Sequence, residues 1–184
     1  MTRILVLYAT TDGHTTKVAT ALADTLRAQV GDVDLVNAGS ASPRAEDYDA
    51  VLVAASVHAG GYQAAVRNWA RANAPALNDR PTAFVSVCLA VLQKDPKAQQ
   101  QVGATIDQFT SGCGWRPSMT RAIAGALLYR RYSWIKRWTM KRIVRRSGGD
   151  TDTSRNYEYT DWSELRTFAS EFGAVIRHST RSVA

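Results

Sequence analysis

The chain has little of what marks a secreted, zinc-bound or membrane-spanning protein. Only two of its 184 residues are cysteine, Cys88 and Cys113, far apart and without Cys-x-x-Cys spacing or a neighbouring histidine. That usage excludes a disulfide framework and reads as two reduced, buried thiols. Nothing supplies the four ligands of a structural zinc site. No apolar run approaches the ~18 residues that cross a bilayer. The stretch Ile4-Leu5-Val6-Leu7 is too short for a signal peptide's apolar region, and no cleavage-type pattern follows it. The expected location is therefore the cytoplasm or its membrane face. Internal repeats and low-complexity tracts are missing. So are G-x-G-x-x-G, which speaks against a Rossmann dinucleotide site, and G-x-x-x-x-G-K-[ST], which speaks against a nucleotide triphosphatase.

What is present is ordinary globular material, 45% hydrophobic and 21% charged, of a length that suits one domain over 1–184. The net charge of +7 is unevenly placed. Between Leu128 and Ser147 lie Arg130, Arg131, Lys136, Arg137, Lys141, Arg142, Arg145 and Arg146, with no acid among them. Those are 8 of 23 basic residues; the other 15 face 16 acidic groups, so the rest of the chain is nearly neutral. A neutral body with one basic, aromatic-studded segment calls for a partner.

Buried strands alternate with amphipathic helices along the chain. Strands are predicted at Arg3–Tyr8, Asp32–Val36, Asp49–Ala55, Thr82–Val87 and about Thr120–Gly125. Helices are predicted at about Thr15–Gln29, Gln63–Ala74 with Pro75 ending it, Pro96–Thr110, and from an Asp161 N-cap to about Arg177. The region from Asn37 to Tyr48 reads as a loop. This alternation implies an α/β fold, a parallel sheet wound on both faces.

After the first strand comes Ala9-Thr10-Thr11-Asp12-Gly13-His14-Thr15, opening into the first helix. Hydroxyl residues and a glycine at a helix start offer backbone N–H groups and a positive dipole end to a phosphate. Taken alone, the loop is equally readable as a strand-to-helix turn with a capping threonine, and His14 as a plain loop residue. Two further loops strengthen the phosphate reading. Ser56-Val57-His58-Ala59-Gly60-Gly61-Tyr62 follows the third strand, and Ser86-Val87-Cys88-Leu89-Ala90 ends the fourth. In a doubly wound sheet all three lie at one edge, where a flat ring fits between them. Tyr62 is either a stacking side chain or a packing one, and His58 either approaches the ring or faces solvent.

Thr10-Thr11-Asp12-Gly13-His14-Thr15 resembles the flavodoxin phosphate loop, T-x-T-G-x-T. With Asp12 in place of the third-position threonine, it is more similar to the T-R-D-G-Q-T of the bacterial flavodoxin-like, menaquinone-dependent protoporphyrinogen oxidases. The likeness continues through Ala55-Ser56-Val57, Gly60 and Tyr62, then Ala83-Phe84, Ser86-Val87 and Leu89. The last third carries its most specific parts: Ile123-Ala124-Gly125-Ala126-Leu127, Tyr129, Arg131-Tyr132, Trp134, Ser147-Gly148-Gly149, Thr151-Asp152-Thr153 and Tyr159-Thr160-Asp161-Trp162. Three positions depart from that family's pattern, Thr11 and His14 standing for Arg and Gln, and Cys88 for Asn.

The resemblance implies a flavodoxin-like five-stranded sheet of order 2-1-3-4-5, with an insert over 127–150. It implies non-covalent FMN, oxidation of protoporphyrinogen IX to protoporphyrin IX in haem biosynthesis, and electrons passed to a quinone, menaquinone. The FMN-binding residues it implies are Thr10, Thr11, Asp12, Gly13, His14 and Thr15 in the first loop. In the second they are Ser56, Val57, Gly60 and Tyr62, and in the third Ser86, Val87, Cys88 and Leu89. No acid or base is assigned, because the flavin carries the redox chemistry and the protein supplies orientation and electrostatics. The alternatives are a flavodoxin-type electron carrier, a quinone reductase with another partner, or a flavin-free binding module. Carriers generally dock through acidic surfaces, which this chain lacks.

The basic segment is partly amphipathic. Leu128, Tyr132, Ile135 and Ile143 share one side of a helical projection and Arg130, Arg137 and Lys141 the other, while Lys136 and Arg146 interrupt the pattern. Trp134 and Trp138 sit near the boundary, as at a bilayer interface. At roughly 1 kcal/mol per basic residue, such a segment holds a soluble domain on an anionic leaflet. Substrate and membrane contact are expected at Tyr129, Arg130, Arg131, Tyr132, Trp134 and Trp138. An inert solvated insert and a nucleic-acid surface are the competing readings; no binding module accompanies the latter. A homo-oligomer stays open.

Overall fold

The computed structural model describes residues 2–58, 60–93, 95–127, 152 and 155–182. The basic segment, with Tyr129, Arg130, Arg131, Tyr132, Trp134 and Trp138, lies outside the described residues.

Five parallel strands form one sheet in the order β2-β1-β3-β4-β5. They are β1 (Arg3–Ala9), β2 (Asp32–Asn37), β3 (Ala50–Ser56), β4 (Thr82–Val87) and β5 (Met119–Ile123). The apolar runs in β1, β3 and β4 are continuous because these central strands are covered on both faces. Helix α1 (His14–Gln29) and the last helix, α5 (Trp162–Ser182), cover one face. There Val18, Leu22 and Leu26 meet Leu165, Phe168 and Phe172 over Ile4, Val6, Leu52 and Val85. Helices α2 (Ala64–Ala72), α3 (Ala74–Asn78) and α4 (Pro96–Cys113) belong to the other face. Its core is more aromatic. Phe84 stacks on Phe109 at 4.8 Å between ring centres and meets Trp115 edge-on at 5.8 Å.

Asp161 caps α5 as predicted, its Oδ1 accepting the Ser163 and Glu164 N–H groups at 2.9 and 3.0 Å. Elsewhere boundaries move for identifiable reasons. Pro75 does not end a helix running to Ala74. The chain breaks at Asn73, and Pro75 sits in the first turn of α3, where its missing N–H leaves nothing unpaired. The fifth strand stops at Ile123, and two residues later Ala126–Leu127 (β6) pairs antiparallel with Tyr157–Glu158 (β7). This short ribbon was not predicted, since two-residue strands carry no periodicity. Helix α5 runs on to Ser182 rather than Arg177. No helix among the described residues is long and apolar enough to cross a membrane.

Candidate functional site

The register puts three loops side by side. Ala9 pairs with Ala55 across β1 and β3, and Ser56 with Val87 across β3 and β4, so these strands end level. The loops after them emerge at the carboxyl edge, next to the point where the strand order reverses.

The first loop is built around Gly13. At φ +93° it holds a left-handed conformation that glycine adopts without strain, and its N–H donates to Thr10 Oγ1 at 2.9 Å. The predicted capping threonine is not the cap: Gly13 is, and no side chain closes the helix start. The first turn of α1 also has no acidic residue. A helix with its first N–H groups and dipole left unsatisfied is suited to an anion. Asp12 does not compete for that position, since its Oδ2 lies 3.4 Å from His58 Nε2 in the second loop.

Gln63 ties the loops together and has no counterpart in the sequence reading. Its Nε2 donates to Thr11 Oγ1 at 3.1 Å and to Ser56 Oγ at 2.8 Å. Its Oε1 is buried with no partner, an acceptor left over beside the loops. The second loop closes in a tight turn, His58 and Gly61 exchanging N–H···O bonds of 2.7 and 3.0 Å around Gly60 at φ +80°. In the third loop Cys88 N–H donates to Ile123 O at 3.0 Å, strapping it to the end of β5. Leu89–Leu92 then forms one 3-10 turn that leaves Leu92 exposed.

Three side chains of these loops are tied into the protein itself. Tyr62 turns inward: it is buried among Phe84 and Phe109, with its hydroxyl donating to Ser86 Oγ at 2.8 Å. Burial holds its phenol neutral, well above the usual range. Burial also raises the Cys88 thiol, which keeps it protonated rather than nucleophilic.

His14 is likewise no loop side chain. It opens α1 and is buried, with Nε2 2.7 Å from Thr160 Oγ1. Thr160 spends its own proton on Ala124 O, also 2.7 Å away, so His14 Nε2 carries the hydrogen and donates. That leaves Nδ1 bare, unpartnered and 3.7 Å from Glu158 Oε2. Burial lowers the His14 pKa, against the raising charge of Glu158 and with the lowering charge of Lys17. Burial alone pushes Glu158 up, but a 3.0 Å bond from Lys17, the charges of Lys17 and His14, and the Trp162 indole bring its pKa down. Glu158 therefore ties β7 to both α1 and α5.

These features fit the flavin mononucleotide that the resemblance implies. The uncapped start of α1 and the hydroxyls of Thr10, Thr11 and Thr15 suit its phosphate. The buried Gln63 acceptor and the backbone of Val57, Gly60, Val87, Cys88 and Leu89 are the groups that would border its ring. His14 and Tyr62 contribute by fixing the loops. No group of three or more His, Cys, Asp or Glu side chains suited to a metal occurs among the described residues.

Comparison with known proteins agrees. A family model described as a flavodoxin domain matches residues 5–154. The chain is 38% identical over 170 residues to protoporphyrinogen IX dehydrogenase (quinone) of Escherichia coli K12, covering 92% of this chain and 93% of that one. The same-named protein of Leishmania major is 34% identical over 177 residues, covering 94% and 75%. In structure, oxidised flavodoxin 1 of Bacillus cereus superposes with a TM-score of 0.56 at 14% identity, covering 92% of this chain and 96% of its own, a likeness of fold. The chain belongs to the flavodoxin-domain family and, within it, to the quinone-dependent protoporphyrinogen IX dehydrogenases.

Proposed function

We propose that this protein uses bound FMN to oxidise protoporphyrinogen IX to protoporphyrin IX, a step of haem biosynthesis, and passes the electrons to a quinone. The observation that carries the reading is the coverage of its relatives: 92% of the chain aligns, so the likeness extends past the flavodoxin core into the last third. The porphyrinogen gives up three electron pairs with their protons, and three quinone molecules in turn each take up one pair and depart as the quinol. Bound flavin supplies the two-electron chemistry. The protein's part is to bind and orient. The start of α1 binds the phosphate, Gln63 and the Asp12–His58 pair hold the first two loops against each other, and the strap from Cys88 to Ile123 fixes the third.

The basic segment between Leu128 and Ser147 extends this reading. Its arginines and tryptophans suit an anionic membrane surface, from which a lipophilic quinone and porphyrinogen arrive. Flotation with anionic liposomes tests that part: the full chain is expected to float, and a variant lacking 129–146 to remain in solution with its FMN. The central test is an anaerobic assay of FMN-loaded protein with protoporphyrinogen IX and menaquinone. Porphyrin fluorescence is expected to rise only when both are present. No rise with flavin-saturated protein overturns the reading.

A further inference from the structure

A cleft of about 350 Å³ opens between α2 and α4 beside the second loop. Gly60 and Gly61 form its upper wall and Phe109 part of its apolar lining, while Arg67 and Arg71 flank it from α2. We infer that this cleft receives the carboxylate side chains of the tetrapyrrole substrate, with Arg67 and Arg71 as the residues that recognise them. The inference rests on the reading above and adds a place and a chemistry for substrate recognition within the described part of the chain.

Four observations carry it. First, no lining residue is acidic, so the two guanidinium groups set the sign of the cleft. Second, Arg67 and Arg71 stand four residues apart on one helix, about 6 Å along its axis, and project from the same side. A ligand with two neighbouring carboxylates can engage both, each through the paired N–H groups that match a carboxylate. Third, Arg71 is already held in place, donating through Nη2 to Gly112 O on α4 at 3.2 Å, with its other donors still available. Fourth, the wall toward the second loop is glycine at Gly60 and Gly61, beside Tyr62. A Cβ built on Gly60 or Gly61 meets nothing within 4 Å, which leaves a flat approach from the cleft to the loop that borders the flavin space. A porphyrinogen combines an apolar macrocycle with carboxylates at one end. Such a molecule lies across the glycines with its carboxylates over α2 and its body toward the flavin. A quinone has no carboxylate and gains nothing from these arginines.

That difference supplies the test. The double variant Arg67→Ala/Arg71→Ala is made in the full-length, FMN-loaded protein, and KM is measured separately for protoporphyrinogen IX and for menaquinone. Each lost charge-assisted contact is worth roughly tenfold. The expected result is a KM for the porphyrinogen raised thirtyfold or more, with the quinone KM and bound FMN unchanged. A second measurement uses protoporphyrin IX and its dimethyl ester as binding probes. The wild type is expected to prefer the free acid by at least tenfold, and the double variant to bind both equally. Thr105→Glu, which adds a carboxylate to the cleft, is expected to weaken binding of the free acid only. An unchanged porphyrinogen KM, or an acid-over-ester preference that survives the double substitution, overturns the inference and leaves the proposed function standing. A wild type that oxidises no porphyrinogen overturns both.

Discussion

The two faces of the sheet are built alike and used differently. On the α1/α5 face, aliphatic side chains and two phenylalanines pack into a core that the last helix closes along its length. On the α2/α4 face the core is aromatic, and the helices stop short of covering the loops beside them, leaving the cleft with its two arginines. The second face carries the short, broken stretch, the nine-residue α2 being followed at once by the five-residue α3. The difference teaches where the molecule keeps its freedom. Apart from the start of α1, one face is packed for stability, while the other leaves open the region where the proposed ring and substrate would sit.

The largest expected effect tests the closed face. Phe168→Ala, at a fully buried site in α5, should cost about 3–5 kcal/mol in urea denaturation. FMN affinity of the folded protein should stay within about twofold of wild type. A parallel loss of FMN affinity would break the division between the faces. Next in size is Gly13→Val. Its φ of +93° imposes strain of about 1–3 kcal/mol on a β-branched residue, and the side chain crowds the phosphate position. FMN titration of the apoprotein should show at least about a tenfold loss; unchanged affinity places the phosphate elsewhere.

Tyr62→Phe sharpens the comparison from the open face. It removes the hydroxyl bond to Ser86 and should cost about 1 kcal/mol of stability while leaving FMN affinity nearly intact. A large loss of flavin would show that the ring touches it after all. The smallest effect belongs to His14. Its folded pKa lies below the unfolded value near 6.5, so below that pH the unfolded chain binds more protons than the folded one. Stability should therefore fall as pH drops through 6.5 toward the lower folded value and be unaffected above it. His14→Gln should flatten that slope in urea midpoints collected across pH. A slope unchanged by the substitution assigns it to other groups.

Much of the fold was legible in the sequence because buried parallel strands are written as unbroken apolar runs. Thr82–Val87 is bounded in the sequence as in the structure, with Pro81 before it. The location of three loops at one edge followed from alternation, while the strand order came only with the family resemblance. Side-chain direction was not legible. Tyr62 and His14 sit in loop-like sequence beside glycines, yet both turn inward, Tyr62 into a cluster completed by Phe109, His14 onto Thr160, 146 residues away. Gln63 was missed because a glutamine at a helix start carries no signal until Thr11 and Ser56 are beside it. Arg67 and Arg71 were missed for a similar reason: two arginines on an exposed helix face look like solvation until α4 and the glycines close a cleft around them.

The β6/β7 ribbon has a bearing on how such a chain diversifies. Leu127 and Tyr157 are paired neighbours, so the two ends of the sequence between them are held at one spot. Lengthening a loop whose ends are already pinned adds little closure entropy, about 0.6 kcal/mol per doubling. The intervening sequence can thus be exchanged, shortened or recharged with slight strain on the sheet, much as a fitting is changed on a standard mount. Replacing residues 128–156 by a two-residue Asn-Gly turn would leave the ribbon's pairing geometry available. The flavodoxin body would then keep its sheet, its three loops and its pinned ribbon whatever sequence lies between the two strands.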